Sequence, residues 1–315
     1  MQQTTMIPNS GIMSVPQIAA ASYAVSSPGV TNVSSGETVS GVYIGPDEKM
    51  FIYSGGVASN ITASGINATD ISYGRAAVVV SSGGKVIGAK IYLKATLNVK
   101  HGYVQSATAE SSGSIALNGA SGSVLSAVNS GTVNINSESF VSRCVAASGG
   151  VIQNNGEIVD AIISSGGSME VVGSRYMAYA THVFISRGGV VSAGSSSYLS
   201  NVYCTGTLNL GYGADAGTVY VYGGGNLQIA ENADARRVTV KKFGALNGFT
   251  RLSEEYYDSC SFNGLYHEDT YVSSGVTVIL SNTHSAFNTQ IRGGGVMVVN
   301  GGEWQIIPES PQADL

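Results

Sequence analysis

Apolar and polar residues alternate in short runs along most of this chain, and glycine-rich turns separate the runs. Between Val145 and Gly173 the sequence reads VAASGGVIQNNGEIVDAIISSGGSMEVVG. Val159, Ala161 and Ile163 fall on one side of an extended backbone, with Asp160 and Ile162 on the other. After Gly166-Gly167 the alternation resumes, with Met169 and Val171 opposite Glu170. A period of two over runs this short, bounded by glycine, predicts β-strands and not helices.

The turns recur. Gly113, Gly131 and Gly150 follow one another at nearly equal steps, and Gly206 and Gly225 repeat the same step further on. Two steps are irregular in this count. Gly56 to Gly84 needs a middle anchor near Gly65 or Gly74, and Gly102 to Gly113 covers about half a unit. A second punctuation follows many anchors after a further short run, at Gly156, Gly173, Gly194, Gly213 and Gly301. Inside the unit, the second and fourth residues after an anchor are apolar: Ile115 and Leu117, Val133 and Ile135, Met169 and Val171, Leu208 and Leu210, Leu227 and Ile229, Trp304 and Ile306. A second alternating strand precedes the anchor, as in Val183 and Ile185, Val202 and Cys204, Val219 and Val221, Val238 and Val240.

A unit of two or three short strands cannot bury an apolar face alone, but it can when stacked on copies of itself. The chain is therefore expected to be all-β, a right-handed parallel β-solenoid with coils of about 19 residues, since parallel crossovers are overwhelmingly right-handed. About 14 coils at ~4.8 Å each make a rod roughly 65 Å long. A β-propeller, whose blades need ~40–45 residues, does not suit this period. The expected organisation is a lead-in or cap over 1–30, the solenoid over 31–307 with an irregular insertion near 249–271, and a short tail over 308–315.

Composition narrows the function classes. Charged residues make up 11% of the 315, the net charge is −5, and glycine reaches 42 residues while proline is held to 6. A chain that is 43% apolar buries a core and is neither disordered nor collagen-like. Its acidity argues against nucleic acid as a partner, and Arg236-Arg237 with Lys241-Lys242 is its densest basic patch. No apolar run is long enough to cross a membrane as a helix. Ile12 to Val25 is mildly apolar but no basic residue precedes it, so a secretory signal is not legible. Cys144, Cys204 and Cys260 lie about three coils apart, too far for disulfides, and are expected to be free, buried thiols. No metal site or cofactor is expected.

The phrases VSSGGKVIG at Val80, IISSGGSMEV at Ile162, FISRGGVVSAG at Phe184 and VYVYGGGNLQI at Val219 resemble the passenger repeats of AIDA-type autotransporter adhesins, from roughly Val30 to Trp304. The resemblance implies a right-handed β-helix displayed outside the cell or on a bacterial surface. It also implies adhesion to surface glycans or proteins, or self-association, and a glycosyltransferase that modifies Ser or Thr. The repeats here are more degenerate than the family's. The chain ends at Leu315 without the membrane β-barrel that follows such repeats, so self-translocation is not expected of it.

Two stretches break the rhythm. Gly167 to Gly189 is longer than the usual step and holds Tyr176 and Tyr179. Gly244 to Gly275 is longer still and holds Tyr256, Tyr257, Tyr266 and His267. Insertions in solenoids become loops on one face, often the binding face. Of the 17 tyrosines, 11 lie between Tyr176 and Tyr271. Tyr203, Tyr220 and Tyr222 are opposite in parity to Val202, Cys204 and Val221, so their rings are expected to point outward, where they suit sugar stacking or a protein interface, although ordinary β-propensity on an exposed face accounts for them equally. The candidate binding residues are thus Tyr176, Tyr179, Tyr203, Tyr220, Tyr222, Tyr256, Tyr257, Tyr266 and His267. Parallel β-helices also host polysaccharide-degrading enzymes, whose chemistry needs two facing carboxylates. Glu254, Glu255, Asp258, Glu268 and Asp269 are the dense supply here, but such a cluster in a charge-poor chain is more often a solvated insertion, and no catalytic motif is assembled. A non-enzymatic adhesin-like repeat protein is the leading expectation; the alternatives are a tailspike-like depolymerase and a structural spacer.

Overall fold

A computed structural model describes residues 29–65, 75–128, 130–222 and 224–230, and from 233 to 306 chiefly the paths of the strands. The lead-in before residue 29 and the tail after 306 lie outside the described residues. Those described contain strands and turns and no helix. Every strand pairing is parallel, and each strand pairs with its counterpart one coil away, as in Thr132↔Val151 and Val151↔Ser168. The chain is a β-solenoid. One sheet, here sheet 1, stacks 15 strands of mostly four residues, from Val30–Val33 to Val296–Val299. Sheet 2 runs beside it and carries a longer strand per coil, such as Tyr103–Glu110 or Ser197–Cys204.

The longer strand bends in its middle, which gives each coil three sides. At the bend Asn60, Gly88, Ser106, His182 and Asn201 have φ of 51°, 71°, 59°, 52° and 52°. In other coils the strand breaks there instead, into Glu157–Ile158 and Ala161–Ile163, for example. Asn and Gly tolerate this left-handed geometry best.

Alternation decides what goes inside. Ile115 and Leu117, Val133 and Ile135, Leu208 and Leu210, and on sheet 2 Val183, Val202, Val219 and Val221, are all at or below 1% exposure. Like residues stack over like down the axis, and each fully buried Val, Leu or Ile contributes about 1.5–3 kcal/mol. The inner columns of sheet 2 are rich in alanine (Ala107, Ala109, Ala127, Ala146, Ala161, Ala180), which lets the sheets approach closely. Asn154 is the polar exception in the sheet 1 core. Its Nδ2 donates to the carbonyl of Tyr179 at 2.9 Å and its Oδ1 accepts from the Gly156 amide at 3.1 Å. Cys144 and Cys204 are free and buried; Cys260 lies outside the described residues.

Three sequence expectations change. The half-unit step from Gly102 to Gly113 is a change of corner. The Gly-Gly turns at Gly55 and Gly83 join sheet 1 to sheet 2, and their backbones stack through Gly55 N to Gly83 O at 3.0 Å. From Gly113 onward the glycine turns join sheet 2 back to sheet 1, stacking through Gly149 N to Gly166 O at 2.8 Å and Gly166 N to Gly188 O at 2.9 Å. Second, no coil is hidden between Gly56 and Gly84. Lys49–Ile52 pairs directly with Ala77–Val80, so this is one long coil. Third, the stretch near 249–271, expected as an irregular insertion, contains strands. Strands Arg251–Ser253, Glu255–Tyr257, Ser261–Asn263, Tyr266–Glu268 and Thr270–Val272 continue both sheets. The register Ala245↔Ser261 makes this a short coil. Glycine counting skips it because Cys260, not glycine, precedes Ser261.

Candidate functional site

The outer surface of sheet 2 carries a column of outward-facing aromatic side chains, with Phe184 exposed and Tyr203, Tyr220 and Tyr222 half-buried against one another. Val183 and Ile185, Val202 and Cys204, and Val219 and Val221 point into the core, so parity drives Phe184, Tyr203 and Tyr220 outward. Register then aligns them, as Phe184↔Tyr203 and Tyr203↔Tyr220. The Phe184 and Tyr203 rings lie 4.8 Å apart at 7°, Tyr203 and Tyr220 lie 5.3 Å apart at 14°, and Tyr222 joins at 6.5 Å from Tyr220. The closest of these spacings equals the rise per coil, so the fold itself builds the ladder. Each aromatic pair adds roughly 0.5–1.5 kcal/mol beyond burial. Ile162 and Val145 extend the column on the other side of Phe184.

Stacking has a chemical consequence. The ring faces inside the ladder are covered by one another, so the ridge presents ring edges and phenol hydroxyls. That surface is poor for laying a sugar flat on an aromatic face and good for meeting another protein surface.

A second aromatic group lies on the other limb of the sheet 2 strand. Phe140, Glu157, Tyr179 and Tyr198 occupy one outward column. Tyr179 and Tyr198 meet edge-on at 6.2 Å and 61°, and the Tyr179 hydroxyl donates to Met177 Sδ at 3.6 Å. The corner that holds Tyr176 and Met177 is the long one, and Asn154 pins its exit through the Tyr179 carbonyl. Tyr176 is 51% exposed and Tyr212, at the same corner two coils on, is 71% exposed.

Tyr203, Tyr220 and Tyr222 thus share one ladder, while Tyr176 and Tyr179 sit together on the neighbouring face. Tyr256 continues the ladder's register through Thr239, and Tyr257 shares the register of Val240. Tyr266 and His267 lie in a strand of sheet 2. The side chains of Tyr256, Tyr257, Tyr266 and His267 fall outside the described residues, as do the carboxylates of Glu254, Glu255, Asp258, Glu268 and Asp269. Phe184, Ile162, Tyr198 and Tyr212 were not singled out by sequence. Phe184 was legible, because it stands one coil before Tyr203 and shares its parity.

Titratable chemistry is thin among the described residues. His182 Nδ1 lies 3.7 Å from an Asp160 carboxylate oxygen across the bend, both exposed, a pair worth little in water. No three His, Cys, Asp or Glu residues converge on a metal-sized site among the described residues. Burial pushes the Cys144 thiol up to about 12 and the Cys204 thiol to about 11, so both are poor nucleophiles.

No protein-family model matches the chain, and no similar sequence is found among the curated proteins. Among solved structures it is similar to a TibC-catalysed hyper-glycosylated fragment of TibA, at 19% identity and a TM-score of 0.48, over 88% of this chain and 94% of that one. It is also similar to the receptor binding domain of the Siphovirus 9NA tailspike, at 10% identity and a TM-score of 0.28, over 91% of this chain and 73% of that one. The assignment as a β-solenoid rests on the strand register and owes nothing to these likenesses.

Proposed function

We propose that this protein is a non-enzymatic, adhesin-like solenoid, working outside the cell or on its surface, that binds a partner protein or a second copy of itself along the aromatic ridge of sheet 2. The observation that supports the reading is the ladder Phe184–Tyr203–Tyr220–Tyr222. It is an aromatic column with covered ring faces and a side branch at Tyr222, and exposed Tyr179, Met177 and Phe140 lie on the neighbouring face. Outward aromatic side chains gathered on one face suit an interaction site, and a repetitive face lets many weak contacts act together. Glycan binding is the second reading, favoured by Tyr176 and Tyr212, whose exposed rings are available for sugar stacking.

The test combines sedimentation with a glycan array and a reducing-sugar release assay on its hits. Concentration-dependent association that Tyr203→Arg abolishes, with an unchanged circular dichroism spectrum, is the expected result. Arginine at that position interrupts the ladder without touching the core. Glycan binding lost in Tyr176→Ala and kept in Tyr203→Arg would move the working surface to the long corner. Sugar release that disappears in Glu255→Gln or Asp269→Asn would overturn the non-enzymatic reading in favour of a depolymerase.

A further inference from the structure

A notch at the bend of sheet 2, far along the rod from the aromatic ridge, is built differently. Three consecutive strands, Val57–Ser64, Lys85–Tyr92 and Tyr103–Glu110, pair in register there. Their bend positions are Asn60, Gly88 and Ser106, and two residues further on stand Thr62, Lys90 and Thr108. Ile61 and Ala89 between the two rows point inward, at 1% and 4% exposure. The result is a grid of two rows by three coils whose centre, at Gly88, has no side chain. A cleft of about 300 Å³ occupies this place, lined by Asn60, Thr62, Lys90, Ser106 and Thr108 around Gly88. That is at the small end of ligand sites.

Gly88 is what opens it. A Cβ placed there would lie 3.2 Å from Asn60 Oδ1. Asn60 and Ser106 stand two coils apart, about 9.6 Å, and the Asn60 amide oxygen leans towards Gly88, so a sugar ring in the cleft would lie against that amide. The lining is an amide, three hydroxyls and one ammonium. Amides and hydroxyls both donate and accept, as ring hydroxyls of a sugar require, while Lys90 supplies the one charge in the lining. A phosphate brings about two negative charges against the single cation here, whereas a carboxylate brings one. On the register neighbour of Thr62, Tyr43 is 55% exposed and extends the same outer column by one coil.

We infer that this cleft binds a carboxylate-bearing pyranose, with its ring hydroxyls on Asn60, Thr62, Ser106 and Thr108 and its carboxylate on Lys90. The site is separate from the aromatic ridge, so each can fail without the other. Such a residue occurs both as a terminal sialic acid and as a hexuronate, and the assay has an arm for each.

Saturation-transfer NMR and calorimetry with 3′-sialyllactose and with trigalacturonate, against lactose and maltotriose, test it on the full chain. One acidic sugar should bind at least tenfold more tightly than its neutral counterpart, and less tightly as salt rises. Lys90→Gln, at an exposed position, should weaken it about tenfold. Gly88→Asn should abolish it, because asparagine already adopts this backbone geometry at Asn60 one coil away and its side chain would fill the notch. Retained melting temperatures in both variants, with Tyr203→Arg binding normally, complete the expected pattern. Equal binding of neutral sugars, displacement by inorganic phosphate alone, no binding of either acidic probe, or indifference to both substitutions would each overturn the assignment.

Discussion

Glycine occupies the corners of this solenoid for two separable reasons, and a pair of substitutions at equivalent corners distinguishes them. Gly224 has φ of +88° and nothing within 4 Å of where a Cβ would sit. Gly224→Ala should therefore cost only the left-handed penalty of an L-residue, about 1–2 kcal/mol. Gly189, two coils away, has no positive φ, but a Cβ there would lie 2.7 Å from the Ile163 carbonyl oxygen and 2.9 Å from that of Ser164. Both are backbone atoms of the neighbouring coil, and the Ile163 carbonyl also accepts the Ser186 amide at 2.8 Å. The coils must separate by several tenths of an ångström. Overpacking of about 1–3 kcal/mol joins a weakened ladder bond of about 0.5–1.5 kcal/mol, so Gly189→Ala should cost roughly 2–4 kcal/mol. Asparagine sharpens the contrast: Gly224→Asn should recover most of the alanine loss, and Gly189→Asn should be no better than alanine. Urea unfolding followed by far-UV circular dichroism measures all four. If asparagine rescues position 189, or if the two alanines cost the same with neither rescued, close coil approach is not what glycine supplies there.

The buried thiols make stability fall in alkali. Their folded values, about 12 for Cys144 and about 11 for Cys204, lie above the ordinary value of 9.0. Their contribution is complete below about pH 8.5 and is lost as pH rises, at about 1.4 kcal/mol per pH unit and thiol. Cys144→Ala with Cys204→Ala should flatten urea stability between pH 8.5 and 10.5 relative to the parent; an unchanged slope would refute the assignment. Two asparagines of sheet 1 should behave differently. Asn118 accepts from Asn136 at 2.6 Å and donates to Asn98 at 2.8 Å, so Asn118→Ala should cost about 1–2 kcal/mol. Asn209 donates to Ser192 Oγ at a long 3.3 Å but keeps a buried Oδ1 without a partner, so Asn209→Ala should cost less than Asn118→Ala and come out near neutral by the same unfolding assay.

Strand identity and the inward or outward sense of a side chain were legible in the chain because both are local. Alternation around Val202, Tyr203 and Cys204 needs no knowledge of any other coil, and a period-two pattern has only two faces to assign. The solenoid followed from the recurrence of that pattern. What stacks on what was not local. Coil length varies from the long Lys49-to-Ala77 step to the short Ala245-to-Ser261 step, and the glycine turn moves from one corner to the other near Gly113. Counting glycines therefore passes over the coil that holds Ser261. Only the backbone pairing between coils brings Phe184, Tyr203 and Tyr220, unequally spaced along the chain, into one ladder whose faces are covered. The same pairing sets Gly88 between Asn60 and Ser106, so that an absent side chain becomes a notch. Both surfaces depend on contacts about 4.8 Å away in space between residues a full coil apart in the chain, and such contacts exist only once neighbouring coils are in register.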